Sequence, residues 1–163
     1  MGRHVTCNAR SVERAVALVF EADWALRELL KRTLREAGFE VLESSTFVEF
    51  DLRLRLRALR AAGRALLVLG DVIATRSEPS IRALAAQRVE DGLGRPQLVV
   101  TREMGALPGE GYEQLGDCNV IATLEKPFDL SLLQAMAFRF RTASDEQLVA
   151  SAPTASMHDG HGG

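Results

Sequence analysis

The strongest constraint on the fold is a short aliphatic run that ends abruptly in a single carboxylate, from Ala65 to Asp71. An unbroken run of this kind, with turn-type residues beyond it, is typical of a strand buried on both faces at the centre of a parallel sheet. In open α/β sheets, functional groups collect at the carboxyl ends of such strands. Asp71 is therefore the first candidate for a functional residue.

Other segments of the chain repeat this pattern. Further strands are predicted at 15–20, 39–42, 97–100 and 120–124, and helices at 24–37, 80–89 and 130–141. Asp23 and Asp129 are suitable N-caps, and Gly38 is suited to end the first helix. Strands that alternate with helices predict a three-layer α/β fold, with a five-stranded parallel sheet and helices on both faces.

The remaining connections are less regular. Residues 47–63 fit the two-residue period of a half-exposed strand as well as a helix, and their strong helix formers and the stop at Gly63 favour the helix. Residues 72–79 are predicted to form a loop. The glycine-rich segment 102–117 is predicted to hold at most a short helix.

Composition limits the domain count and the partners. A chain of 163 residues, 47% of them hydrophobic and 26% charged, is typical of one globular domain. We place it at 14–141, between a flexible leader at 1–13 and a disordered tail at 142–163. The net charge of −2 provides no general field for nucleic acid, so the arginines of 53–64 are interpreted as a solvated face.

The cysteines and the hydropathy pattern indicate a compartment. Two cysteines, Cys7 and Cys118, are too few for a disulfide framework and fit a reducing environment. No apolar run is long enough to cross a bilayer. We therefore expect a cytoplasmic protein without membrane contact.

Polar residues stand at the ends of four predicted strands. They are Glu21, Asp71, Thr101 and Lys126. An aspartate can accept an activated phosphoryl group, and the charge on that group calls for a divalent cation, a cationic side chain and a hydroxyl donor. The structural alternative is that Lys126 and Asp71 form an ion pair while Thr101 caps a loop.

Together, these segments resemble the response-regulator receiver domain of two-component signalling, which has a flavodoxin-like fold. The resemblance covers about 14–141 and rests on four motifs in order. They are Leu18-Val19-Phe20-Glu21-Ala22-Asp23, Leu67-Val68-Leu69-Gly70-Asp71-Val72, Leu98-Val99-Val100-Thr101 and Leu124-Glu125-Lys126-Pro127-Phe128-Asp129. In that family the lysine–proline bond is cis, which here would be Lys126-Pro127.

The resemblance implies specific roles. Asp71 would accept a phosphoryl group from a histidine kinase or phosphotransfer protein, Thr101 would follow that group, and Lys126 would neutralise it. Glu21, Asp71 and the main-chain carbonyl of Ile73 would hold Mg²⁺. The protein would then be a signalling module and not an enzyme, would contact a downstream protein, and could form a homodimer.

Four positions depart from the family pattern. Ala22 replaces the second acid, which contacts magnesium directly in the family, so metal affinity should fall. Thr75 stands in place of a loop proline, Arg102 in place of a small residue at the site entrance, and Thr123 in place of the aromatic switch residue. Arg102 could block the site or hold a phosphate. Two hypotheses therefore stay open: a working phosphoacceptor, and a phosphorylation-independent pseudo-receiver that binds proteins.

Overall fold

The computed structural model describes residues 14–45, 49–105 and 119–143. For 49–51, 53, 54, 71 and 119–121 it describes the backbone alone. The predicted leader, the tail from 144 onward and most of the glycine-rich segment lie outside these ranges, as do both cysteines. Among the helices in these ranges, none has the length and apolarity needed to cross a bilayer.

The described elements alternate between strands and helices along the chain. Their order is β1 (Ala15–Phe20), α1 (Trp24–Glu36), β2 (Glu40–Ser44), α2 (Glu49–Arg60), β3 (Arg64–Gly70), α3 (Asp71–Arg76), α4 (Glu78–Glu90), β4 (Gln97–Glu103), β5 (Asn119–Lys126) and α5 (Leu130–Thr142). All strand pairs are parallel, in the order β2-β1-β3-β4-β5. The predicted five-stranded parallel sheet is confirmed.

Helices cover both faces of the sheet, because its central strands are apolar on both sides. On one face, Leu52, Leu56 and Leu59 of α2 and Ile81 and Leu84 of α4 pack against the strands. On the other face the core includes α1 and α5 residues, namely Leu30, Leu34, Leu133, Ala137 and Phe140. The helical interpretation of 47–63 is confirmed for α2, where Leu52, Leu56 and Leu59 face the sheet. The predicted solvated face is wrong for Arg64, which is the first residue of β3 and only 7% exposed.

Local signals fix the ends of the helices. The Asp23 carboxylate accepts a hydrogen bond of 2.7 Å from the Leu26 amide, and Asp129 accepts one of 2.8 Å from Ser131. Both predicted N-caps are therefore confirmed. Gly38 follows α1 with φ of +94°, in the left-handed region that favours glycine.

The predicted loop at 72–79 is wrong. Asp71–Arg76 form α3, and α4 begins at Glu78. Pro79, the last residue of the predicted loop, lies in the first turn of α4, where its missing amide hydrogen is not needed. Strand β4 also runs three residues further than predicted, to Glu103.

A buried cation links helix α4 to the end of α2, and the sequence pattern did not predict it. Arg88 of α4 is 0% exposed. Its guanidinium donates hydrogen bonds to carbonyl oxygens at and beyond the end of α2, those of Leu59, Arg60, Ala62 and Gly63, and to that of Gly94. Carbonyls at a helix end lack partners within the helix, so this side chain satisfies several of them at once.

Candidate functional site

Three of the four predicted site residues lie on one face of the sheet, at its carboxyl edge. Glu21, Thr101 and Lys126 each follow, by two positions, a core residue beneath α1 and α5; these core residues are Val19, Val99 and Leu124. Residues two apart along a strand share a face. The strand period therefore directs all three side chains to the α1 and α5 side.

The backbone of Asp71 lies at this same edge. Gly70, the last residue of β3, pairs with Thr101 of β4, and Asp71 follows as the first residue of α3. Thr101 is buried, with 2% of its surface exposed. The main chain therefore brings the predicted acceptor and the predicted hydroxyl donor to neighbouring strand ends, and their phosphoryl chemistry stays a prediction.

An ion pair spans the edge from β5 to β1. The Lys126 ammonium nitrogen lies 3.0 Å from Glu21 Oε2, and the Glu21 side chain is only 6% exposed. Strands β3 and β4 lie between β1 and β5, so the lysine side chain must extend across their ends. The pair therefore joins strands on either side of β3, the strand that Asp71 follows.

A second carboxylate holds the same lysine. Glu103 Oε1 lies 3.3 Å from the Lys126 nitrogen, and the two residues face each other in the β4–β5 register. Glu103 was not among the predicted site residues, because the predicted strand ended before it. Its position two residues after Thr101 was the available signal, since that spacing places both on one face of β4.

These contacts change the titration of the lysine. Burial by itself lowers the pKa of Lys126, but hydrogen bonds and charge from Glu21, and then from Glu103, outweigh it. The pKa is therefore raised from its ordinary value, and the ammonium stays charged well above neutral pH.

Two of the predicted magnesium ligands, Glu21 and the Ile73 carbonyl, already have partners. Glu21 Oε1 accepts a hydrogen bond of 3.0 Å from the Asp23 amide, while Oε2 contacts Lys126. The Ile73 carbonyl accepts a 2.9 Å hydrogen bond from the Ser77 amide within α3. In the described part of the chain, no three His, Cys, Asp or Glu side chains converge on a point. To bind a metal ion, Glu21 and the Ile73 carbonyl would have to exchange these partners.

The positions that depart from the family pattern also have definite surroundings. Arg102 forms an ion pair with Glu125, its register partner on β5. Thr123 is exposed. The Lys126-Pro127 bond is cis, as the resemblance implied. Beside it, a cleft of about 480 Å³ lies between the start of α1 and the β5–α5 connection, and Glu103 and Lys126 line part of it.

The strand order and the two helical layers identify the fold class of the protein. Neither a protein-family model nor a curated protein sequence matches the chain. Solved structures do, and the fold is that of a response-regulator receiver domain, with the predicted three-layer flavodoxin-like architecture.

Three solved receivers illustrate the match. A response regulator from Thermotoga maritima is 15% identical, with a TM-score of 0.56 over 80% of this chain and 99% of its own. The chemotaxis protein CheY4 of Vibrio cholerae is 17% identical, with a TM-score of 0.53 over 78% and 98%. A CheY-like receiver domain from Methanospirillum hungatei is 18% identical, with a TM-score of 0.52 over 77% and 94%.

Proposed function

We propose that this protein is a receiver module of two-component signalling that accepts a phosphoryl group on Asp71. The donor would be a histidine kinase or a phosphotransfer protein, and the output would be contact with a downstream protein. The observation that carries the proposal is the Lys126 side chain, which reaches Glu21 at 3.0 Å across the strand ends beside the start of α3.

The chemistry follows from these positions. An Asp71 carboxylate oxygen attacks the phosphorus of a phosphohistidine, the new P–O bond forms, and the P–N bond breaks with its electron pair on the imidazole nitrogen. The product carries charge on its phosphoryl oxygens. The Lys126 ammonium is the cation available to neutralise that charge, and the Thr101 hydroxyl is a hydrogen-bond donor from the neighbouring strand.

Magnesium would bind weakly at this edge. Glu21 and Asp71 would supply carboxylate oxygens and Ile73 a carbonyl oxygen, and the ion would bring positive charge to the phosphoryl oxygens. Ala22 supplies no carboxylate, and Glu21 and Ile73 would both have to exchange their present partners. Each of these features lowers the affinity.

The same features favour a second candidate function. A site whose lysine is held by two carboxylates, and whose carbonyl ligand is used inside a helix, is arranged like a site that no longer needs phosphorylation. The protein would then be a pseudo-receiver that binds a partner through its unmodified surface.

Intact-mass spectrometry with a small phosphodonor separates the two candidates. The protein is incubated with acetyl phosphate and magnesium, and we expect a gain of one phosphoryl group that disappears in Asp71→Asn. Asp23→Asn is the matched control, because it removes a carboxylate near the same edge and should keep the gain. A wild-type protein that gains no mass, even at high magnesium, would support the pseudo-receiver.

A further inference from the structure

Lys126 is shared between two carboxylates in the resting protein. Its single ammonium group is within 3.3 Å of both Glu21 and Glu103, so it already balances two carboxylates before any phosphoryl group arrives. A phosphoryl group adds about 1.5 to 2 negative charges at neutral pH. An ammonium cannot serve three anions equally, because the anions repel one another.

Of the two carboxylates, Glu103 is the one that can leave. Glu21 is 6% exposed and is also held by the Asp23 amide, so it could release the lysine only in exchange for another cation, such as the weakly bound Mg²⁺. Glu103 is 76% exposed and can exchange the lysine for water at little cost. The difference in burial therefore sets the order in which the contacts break.

We propose that Glu103 is a positioning residue that holds Lys126 in the resting state and is released when a phosphoryl group on Asp71 draws the lysine away. This inference rests on the proposed function. In the resting state Glu103 opposes phosphorylation, since it competes for the same cation. After phosphorylation, the freed carboxylate changes the charge and contacts at the end of β4.

The position of Glu103 makes its release an output signal. It is the last residue of β4, and the exposed Met104 and Gly105 follow it directly. The usual coupling of hydroxyl to aromatic side chain is not available here, because Thr123 stands at the aromatic position and is exposed. The pair of Lys126 and Glu103 thus supplies a different link from the acceptor to the chain beyond β4.

Lysine side-chain NMR can follow this contact directly, because the sequence contains only two lysines, Lys31 and Lys126. Lys31 is an internal control, since it is held by Glu28 and Glu43 at 2.8 Å each on the α1–β2 side. We expect Glu103→Gln to lower the pKa of Lys126 and to leave the Lys31 signal unchanged. Acetyl phosphate should shift the Lys126 signal in the wild type.

The lifetime of the phosphorylated form gives the functional measurement. Without its competitor, Lys126 should hold the phosphoryl group longer, by about two- to fivefold for an exposed ion pair. Glu103→Asp keeps the charge on a shorter side chain and should restore much of the wild-type lifetime. Glu36→Gln is the matched control, because it removes an exposed carboxylate of a surface ion pair with Arg32 at the other end of α1 and should leave the lifetime unchanged.

The outcomes separate this inference from the proposed function. A wild-type protein that accepts phosphoryl on Asp71, with unchanged Lys126 signals and lifetime in Glu103→Gln, would overturn the inference alone. A shorter lifetime in Glu103→Gln would also overturn it. Absence of phosphorylation in the wild type would overturn the proposed function and, with it, the release of Glu103.

Discussion

The ion pair between Glu21 and Lys126 allows a quantitative test of the site as a physical unit. Lys126→Met keeps the length of the side chain but removes its charge, which leaves the 6%-exposed Glu21 without its cation. Removing one partner of a buried ion pair costs about 3–5 kcal/mol. Lys126 is 21% exposed and Glu21 keeps the Asp23 amide, so we expect the free energy of unfolding to fall by about 2–3 kcal/mol.

A double-mutant cycle isolates the coupling of the two charges. Glu21→Gln combined with Lys126→Met removes both charges, so the stranded anion disappears and part of the lost stability should return. We expect a coupling energy of about 1–2 kcal/mol. Glu103→Gln should change stability by less than about 1 kcal/mol, because Glu103 is mostly exposed.

Urea denaturation followed by far-ultraviolet circular dichroism measures these differences. The single tryptophan, Trp24, is 69% exposed and would report the transition poorly. A double variant less stable than Lys126→Met, or a Lys126→Met variant as stable as the wild type, would refute the view that Glu21 depends on this lysine.

Other predictions concern the core, pH and metal. Arg88→Met should lower the free energy of unfolding by about 3–5 kcal/mol, because it strands buried carbonyls at the end of α2, and Arg88→Lys should lose less; urea denaturation measures both. The hydrogen bond from Lys31 lowers the pKa of Glu43 against the opposing effect of burial. The contribution of Glu43 to stability should therefore be present above its unfolded-state pKa of about 4.3 and be lost as the pH falls through the lower folded pKa, so that Glu43→Gln costs stability at pH 7 but not in strong acid. Ala22→Asp should tighten magnesium binding in a calorimetric titration, and an unchanged titration would argue against a metal site at Glu21 and Asp71.

The sequence predicted the sheet better than its connections. Unbroken aliphatic runs carry a strong signal because a strand buried on both faces needs apolar residues at every position. The connection between β3 and α4 was predicted incorrectly: it was expected to be a loop, but it forms the short helix α3, and Pro79 lies in the first turn of α4, where proline is tolerated. The end of β4 was also predicted incorrectly, because the strand continues through two polar residues, Arg102 and Glu103. Consecutive residues of a strand lie on opposite faces, so these two interrupt the apolar run that was used to predict the strand.

The candidate site shows the same division between local and long-range information. Spacing could place Glu21, Thr101 and Lys126 at one edge, because strand period and parallel topology act together. It could not show that the lysine crosses two strands to pair with Glu21 at 3.0 Å, because that contact joins residues far apart in the chain. The role of Arg88 could not be predicted for the same reason, since four of its acceptors lie 25 to 29 residues away, in α2 and just beyond it.

The absence of an acid at position 22 and the presence of one at position 103 both affect the charge balance around Lys126. In the family pattern, a second acid at the end of the first strand contacts magnesium directly. Here Glu21 stands beside Ala22, so a single positive charge from Lys126 is enough to balance it. The lysine is then committed before phosphorylation, and a second carboxylate, Glu103, can share it from the exposed side. Restoring an acid at position 22 should therefore favour an external cation over the lysine, which makes Ala22 the residue that sets how the edge is neutralised.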